Sequence, residues 1–146
     1  MNECVFCTDV GIQAREVLRT EFVRAFPTNI PIVPGHMIVC PTRCVIAMAE
    51  LSGEERKMLF SAIEGIKEAL KKTFGAQGFN HAWNEGVLAG QSVQHLHIHV
   101  IPRKEGDEGI TEYEPRKFLY RPGERRESPE KELLAVSKLV RDALEA

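Results

Sequence analysis

Apolar residues recur along the chain in two rhythms, and the switches between them mark out its elements. From Arg15 to Thr28, Val17, Leu18, Phe22, Val23 and Phe26 place β-formers between polar residues, which predicts two short strands turning at Thr20-Glu21. Pro34-Gly35 interrupts the pattern, and Met37 to Cys40 predicts a third strand. Ser52 and Glu55 have the spacing of a capping box, and Leu59, Ala62, Ile63, Ile66 and Leu70 follow at helical intervals until Gly75. That is a helix of about five turns with one apolar face. Two more strands are predicted at Phe79 to Trp83 and at His95 to Ile101. The segment from Asn84 to Gly90 between them has glycines that suit a turn or a close approach to a ligand. A last helix, over 129–145, opens at Ser128-Pro129 and carries Leu133, Val136, Val140 and Leu144 on one stripe.

Three strands, a helix, two strands and a helix do not alternate as a parallel βαβ protein does. The order predicts an α+β fold: an antiparallel sheet of about five strands, a long helix after the third strand and a C-terminal helix. Residues 103–127 are rich in charge, glycine and proline and read as a surface loop, with Phe118-Leu119-Tyr120 as its one short strand candidate. There is no internal repeat and no linker, so residues 1–146 are expected to form a single domain.

Composition narrows the function classes. With 43% apolar and 27% charged residues, the chain can fill a core and solvate its outside, which excludes disorder along its whole length. A net charge of -2 gives no global attraction for a polyanion, so nucleic acid is disfavoured as a partner. No export signal and no membrane-spanning apolar run are present, and a cytoplasmic location is expected. In that reducing compartment Cys4, Cys7, Cys40 and Cys44 point to metal binding or plain burial ahead of disulfides.

The chemistry concentrates in Gln94-His95-Leu96-His97-Ile98-His99-Val100-Ile101. Alternate residues of a strand share a face, so His95, His97 and His99 point one way while Leu96, Ile98 and Val100 point into the core. A lone histidine in a strand is usually a half-buried structural residue. Three in register sacrifice apolar packing, which a core would not do. One metal ion cannot take all three, because about 3.4 Å per residue separates His95 from His99 by roughly 13 Å, whereas zinc holds its nitrogens at about 2.1 Å. What remains is acid, base or nucleophile chemistry. An imidazole with a pKa near 6.5 is largely neutral at physiological pH. Its nitrogen can attack phosphorus, and neighbouring histidines can hold phosphate oxygens or pass a proton.

The stretch from Gly90 through Gln91-Ser92-Val93 to Ile101 resembles the signature of the histidine triad family of nucleotide hydrolases and transferases. Two further matches are Phe26-Pro27-Thr28-Asn29-Ile30-Pro31-Ile32-Val33-Pro34-Gly35-His36 and Asn84, and matching segments run from Cys4 to about Arg103. The resemblance implies that His97 is the nucleophile and that Asn84, Gln91, Ser92 and His99 surround the phosphate, with Gln91, Ser92 and His99 joining His97 in catalysis. It places His36 in the supporting shell and lines the base pocket with Phe6 and Phe26, two residues that core packing explains more readily. Thr28 is a departure, since the family usually has Asp or Asn there to grip the ribose hydroxyls. Its hydroxyl can still hydrogen-bond but carries no charge, and Asn29 substitutes only if the strand slips or bulges.

Cys4-Val5-Phe6-Cys7 has the spacing of half a zinc site. Some bacterial members of the family complete such a site, and the resemblance implies a closed, structural zinc held by Cys4, Cys7, Cys44 and His95, against unligated cysteines as the alternative. Cys40 reads as a small buried apolar residue.

The activity implied is hydrolysis of phosphoanhydride or phosphoramidate bonds in a small nucleotide, through a nucleotidyl-histidine that water cleaves to a nucleoside monophosphate without a catalytic cofactor. Ile101-Pro102-Arg103-Lys104-Glu105-Gly106-Asp107 and the long segment after it look closer to the dinucleoside polyphosphate hydrolases. An adenosine phosphoramidase, a nucleotide phosphorylase or transferase and a non-catalytic nucleotide-binding regulator stay open as alternatives. The resemblance also implies a homodimer across the helix after the third strand.

Overall fold

The computed structural model describes residues 4–108 and 127–146. In chain order these form α1 (Val5–Thr8), α2 (Val10–Ala14), β1 (Leu18–Arg19), β2 (Val23–Pro27), β3 (Met37–Pro41), α3 (Gly53–Phe74), β4 (Gly78–Ala82), β5 (Ile98–Arg103) and α4 (Glu130–Glu145). Short 3-10 turns lie at Met48–Glu50 and Val87–Ala89. The strands make one antiparallel sheet in the order β1-β2-β3-β5-β4. The expected α+β fold is therefore the observed one, and Phe118-Leu119-Tyr120 lies outside the described residues.

The long helix begins and ends where its sequence signals stand. Ser52 accepts from the Glu55 N–H at 3.1 Å, and Glu55 accepts from the Ser52 N–H at 2.9 Å, which satisfies two helix-end donors reciprocally. Gly75 closes the helix in the left-handed region, at φ 67. Arg43 adds a bidentate contact to Glu55 at 2.8 and 3.2 Å. Replacing Ser52 with Ala is expected to cost about 1 kcal/mol in unfolding free energy. The Arg43 guanidinium and the Ser52 N–H hold the Glu55 carboxyl down at about 2, from its usual 4.5. A depressed carboxylate stabilises the fold above its unfolded pKa and loses that contribution as pH falls through the folded one. Glu55→Gln should thus destabilise at neutral pH, and denaturant titrations should show the gap to wild type narrowing between pH 4.5 and 2.

The sheet separates two layers. On one face Leu59, Ile63, Ile66 and Leu70 of α3 and Val140 of α4 meet Val23, Ala25, Met37, Val39, Leu96, Ile98 and Val100. Burying a side chain such as Ile66, which has no exposed surface, stabilises by roughly 1.5–3 kcal/mol. On the other face α1 and α2 bring Phe6 and Ile12 onto Phe26, Ile38 and Cys40. These two helices, unexpected from the apolar rhythm, are too short to form alone. Asp9 caps α2 by accepting from the Ile12 N–H at 3.0 Å.

The last strand departs from expectation: it starts at Ile98, and His95 to His97 precede it. Its pairing with β3 stops at Val39↔Ile98. Two residues along β3, Pro41 has no N–H for the ladder, and its carbonyl accepts the His95 imidazole N–H at 2.7 Å. The Leu96 N–H turns instead to the Val45 carbonyl, at 2.7 Å. The other shifts are small, with β4 starting one residue early and α4 following Pro129. Among the described residues no helix is long and apolar enough to cross a membrane.

Candidate active site and an adjoining cysteine cluster

Although the ladder stops short, the alternation of faces continues through it. Leu96, Ile98 and Val100 join the helix-side core. The rings of His97 and His99 stand 5.1 Å apart on the other side, and Phe6 packs against both His95 and His97.

The hydrogen bonds of these imidazoles fix their tautomers. The Nδ1 of His97 lies 2.7 Å from the carbonyl oxygen of His95, which can only accept, so Nδ1 carries the proton and Nε2 keeps its lone pair. Burial holds the His97 imidazole below its usual pKa, and the bond to the His95 carbonyl opposes that shift. A buried neutral imidazole with a bare Nε2 offers the lone pair that a nucleophile needs. His36, 2% exposed, accepts the Ile32 N–H at Nδ1 (3.0 Å), so its own proton sits on Nε2, 2.9 Å from Nδ1 of His99. His99, with Nδ1 accepting, then holds its proton on Nε2 as a donor. Gly35 sets the approach of His36: it lies at φ 93, and a Cβ there would come within 3.0 Å of the Phe74 ring and 3.1 Å of Pro102.

Phe6, Thr28, His36, Asn84, Ser92, His97 and His99 line one pocket, together with Asn29, Ile38, Val93 and Ile101. Past Phe6 and Val93 this small pocket, about 120 Å³, adjoins a wider cavity of about 720 Å³ walled by Ile12, Phe26 and Leu133. Phe6 and Phe26 are at once core and wall, in edge contact at 5.2 Å. Asn84 donates to the Gly90 carbonyl at 3.3 Å and Ser92 is exposed at the rim. Thr28 is buried, and its hydroxyl accepts from the Ile30 N–H at 3.3 Å.

Gln91 is placed differently. It is 2% exposed, accepts the Gly86 N–H at 2.8 Å and donates to the Ile46 carbonyl at 3.0 Å. Both ends of its amide thus brace the loop behind the pocket, whose lining it does not join.

The metal candidates converge. The ligand atoms of Cys4, Cys7, Cys44 and His95 all lie within 4.8 Å of one another. His95 presents Nδ1 to Cys4 Sγ at 3.2 Å and Cys7 Sγ at 3.6 Å, while its Nε2 donates to Pro41. A tetrahedral zinc with Zn–S near 2.3 Å sets its donors about 3.8 Å apart, so the donor set and its geometry fit one. Cys40 is fully buried, and burial pushes its thiol up to about 12, as suits an unreactive core residue.

Two buried charged residues, Arg15 and Arg24, are not marked by the apolar rhythm. Arg24 is 2% exposed and pairs with Glu16 at 2.6 Å. A charge inside the otherwise apolar run Val23 to Phe26 is the one signal that marks it.

A five-stranded antiparallel sheet carrying histidines on one face and helices on the other defines a histidine triad protein. The HIT domain family model matches residues 10–106, and the chain belongs to that family. A bis(5'-nucleosyl)-tetraphosphatase of Schizosaccharomyces pombe is 39% identical over 107 residues, 73% of this chain and 59% of that protein. A bis(5'-adenosyl)-triphosphatase of Dictyostelium discoideum is 37% identical over 95 residues, 65% of this chain and 64% of that protein. The chain thus spans about three fifths of the length of these two relatives. Among solved structures, a zinc-bound histidine triad family protein of Mycobacterium smegmatis superimposes with a TM-score of 0.73 at 26% identity, over 98% of this chain and 94% of that one. A histidine triad nucleotide-binding protein of Sulfolobus tokodaii gives 0.78 at 25% identity, over 97% and 92%.

Proposed function

We propose that the protein hydrolyses dinucleoside polyphosphates or related adenylates, with His97 as the nucleophile. The observation that carries this reading is the tautomer of His97, whose Nδ1–H is engaged by the His95 carbonyl and whose bare Nε2 belongs to a residue of the pocket wall. Nε2 attacks the α-phosphorus, the N–P bond forms, and the bond from phosphorus to the leaving oxygen breaks. The leaving phosphate oxygen departs as an anion, its charge met by a hydrogen bond from Nε2–H of His99, which His36 orients. Water then attacks the same phosphorus and loses a proton to solvent, the N–P bond breaks, and His97 departs as neutral imidazole with a nucleoside monophosphate as product.

Charge on the phosphoryl oxygens is met by donors from His99, Ser92 and Asn84, with Gln91 holding the loop that presents them. The base and ribose occupy the side of the pocket walled by Phe6, Phe26, Thr28 and Asn29. The names of the curated relatives support the dinucleoside polyphosphate class.

A structural zinc on Cys4, Cys7, Cys44 and His95 belongs to the same reading, supported by the donor geometry and by the zinc-bound relative. When bound, it cross-links α1 to the segment before β5. A homodimer belongs to it as well. The segment after the edge strand β4 exposes Trp83, Val87 and Leu88, and α3 exposes Phe60, apolar residues that a second copy covers.

The substrate is tested by incubating the protein with a panel of dinucleoside polyphosphates and adenosine phosphoramidate, with and without inorganic phosphate. Release of nucleoside monophosphate independent of inorganic phosphate is expected. Product only when phosphate is present would make the protein a phosphorylase, and no turnover of any member would leave a binding protein.

A further inference from the structure

The buried Arg24 has no part in the chemistry above, yet it lies under the cysteine cluster. It stands on β2 opposite Cys40, on the sheet face that α1 covers, and its Nη2 donates to the carbonyl of Phe6, inside the Cys4-Val5-Phe6-Cys7 turn. Its Nε is locked by Glu16 at 2.6 Å, and Glu16 in turn holds the exposed Arg19 at 2.8 and 3.0 Å. Glu16 already has the exposed Arg19 as a partner, so the second pair serves to hold a buried guanidinium against the Phe6 carbonyl.

Resting on the metal reading above, we infer that Arg24 is a positioning residue for the Cys4, Cys7, Cys44 and His95 site. It holds the turn that carries two of the thiolates and supplies the charge that balances the loaded site. Three thiolates, a neutral imidazole and a divalent cation sum to one negative charge, and Arg19, Glu16 and Arg24 sum to one positive charge. Partners behind a metal's direct ligands orient those ligands, and losing one typically weakens metal binding by about 10- to 100-fold.

The ligand used for the test is Co²⁺, whose thiolate-to-metal absorption band reports a tetrahedral sulfur site directly. Arg24→Met combined with Glu16→Gln removes the pair without leaving an unpaired buried charge, and it should bind Co²⁺ about 10- to 100-fold more weakly than wild type. Glu16→Gln alone leaves Arg24 its charge and its bond to Phe6, and should bind at least as tightly as wild type. Arg24→Lys keeps the charge, loses the fork that reaches both partners, and should fall between wild type and the double variant. Metal-free unfolding midpoints separate a lost fold from a lost site, and if the double variant does not fold, the two single variants decide by their order. A double variant that binds within twofold of wild type, or a tenfold loss in Glu16→Gln, overturns the proposal. A wild type without the band removes the metal reading and this proposal with it. A normal wild-type band with no response to the variants removes the proposal alone.

Discussion

His97→Asn should lower the hydrolysis rate by roughly 10⁴-fold or more while nucleotide affinity stays within about tenfold of wild type. Asparagine is the informative replacement because its side-chain amide N–H can keep the bond to the His95 carbonyl that Nδ1 makes at 2.7 Å. The local backbone and the packing against Phe6 are then retained, and what disappears is the lone pair at the position of Nε2. Among the described residues of the pocket none offers an equivalent atom. His99, the nearest ring at 5.1 Å, has its Nδ1 facing His36 and its Nε2 protonated. Parallel measurement of single-turnover rate and equilibrium binding distinguishes loss of the nucleophile from loss of the pocket, and a variant with near wild-type rate would contradict the assignment.

Removing the thiolates should be the largest single blow to stability. Cys4→Ser with Cys7→Ser is expected to leave the protein without bound zinc and to cost about 4 kcal/mol or more, a fall in Tm of about 10 °C or more. The reason lies in α1, which is four residues long and has no side-chain cap. Its attachments include Phe6 in the core, the Arg24 bond to the Phe6 carbonyl, the Gln13 bond to the Cys7 carbonyl at 3.2 Å, and the cysteine cluster that reaches across to His95 and Cys44. Stripping wild type with a chelator should reproduce the Tm of the double variant, and elemental analysis should find one zinc per wild-type chain. A wild type that carries no metal and whose Tm ignores the chelator would contradict the site.

Much of the fold could be read from local chemistry because its signals are local. The helix after the third strand announces both of its ends, in Ser52 with Glu55 and in Gly75, and its stripe of Leu59, Ile63, Ile66 and Leu70 is the stripe that is buried. The direction of the three histidines was equally legible, since it depends only on the alternation of side chains along extended backbone. Where that strand begins was not. The ladder ends because of Pro41, on a strand remote in sequence, which no pattern around His95 contains. The helices α1 and α2 were invisible for a related reason, being held by tertiary contacts that short helices require.

The site divides in the same way. His36, His97, His99, Asn84 and Ser92 were named from the sequence and stand around one pocket, as do the four metal candidates around one point. Gln91 was grouped with the phosphate contacts, yet its amide is engaged by Gly86 and Ile46, two partners that only the folded chain brings together. Arg24 reads in isolation as a solvated strand residue. It is buried because Glu16 and the Phe6 carbonyl satisfy it, a pairing between segments with no shared pattern.

The proposed chemistry turns on a covalent bond between His97 and the nucleotide phosphorus. Its most direct test mixes wild-type protein with a reactive dinucleoside polyphosphate, quenches within one turnover under conditions that preserve a phosphoramidate bond, and maps the adduct by mass spectrometry. One nucleoside monophosphate attached to His97 is expected, absent in His97→Asn. Turnover with no adduct in the quenched wild type, or an adduct on another residue that persists in the variant, would contradict it.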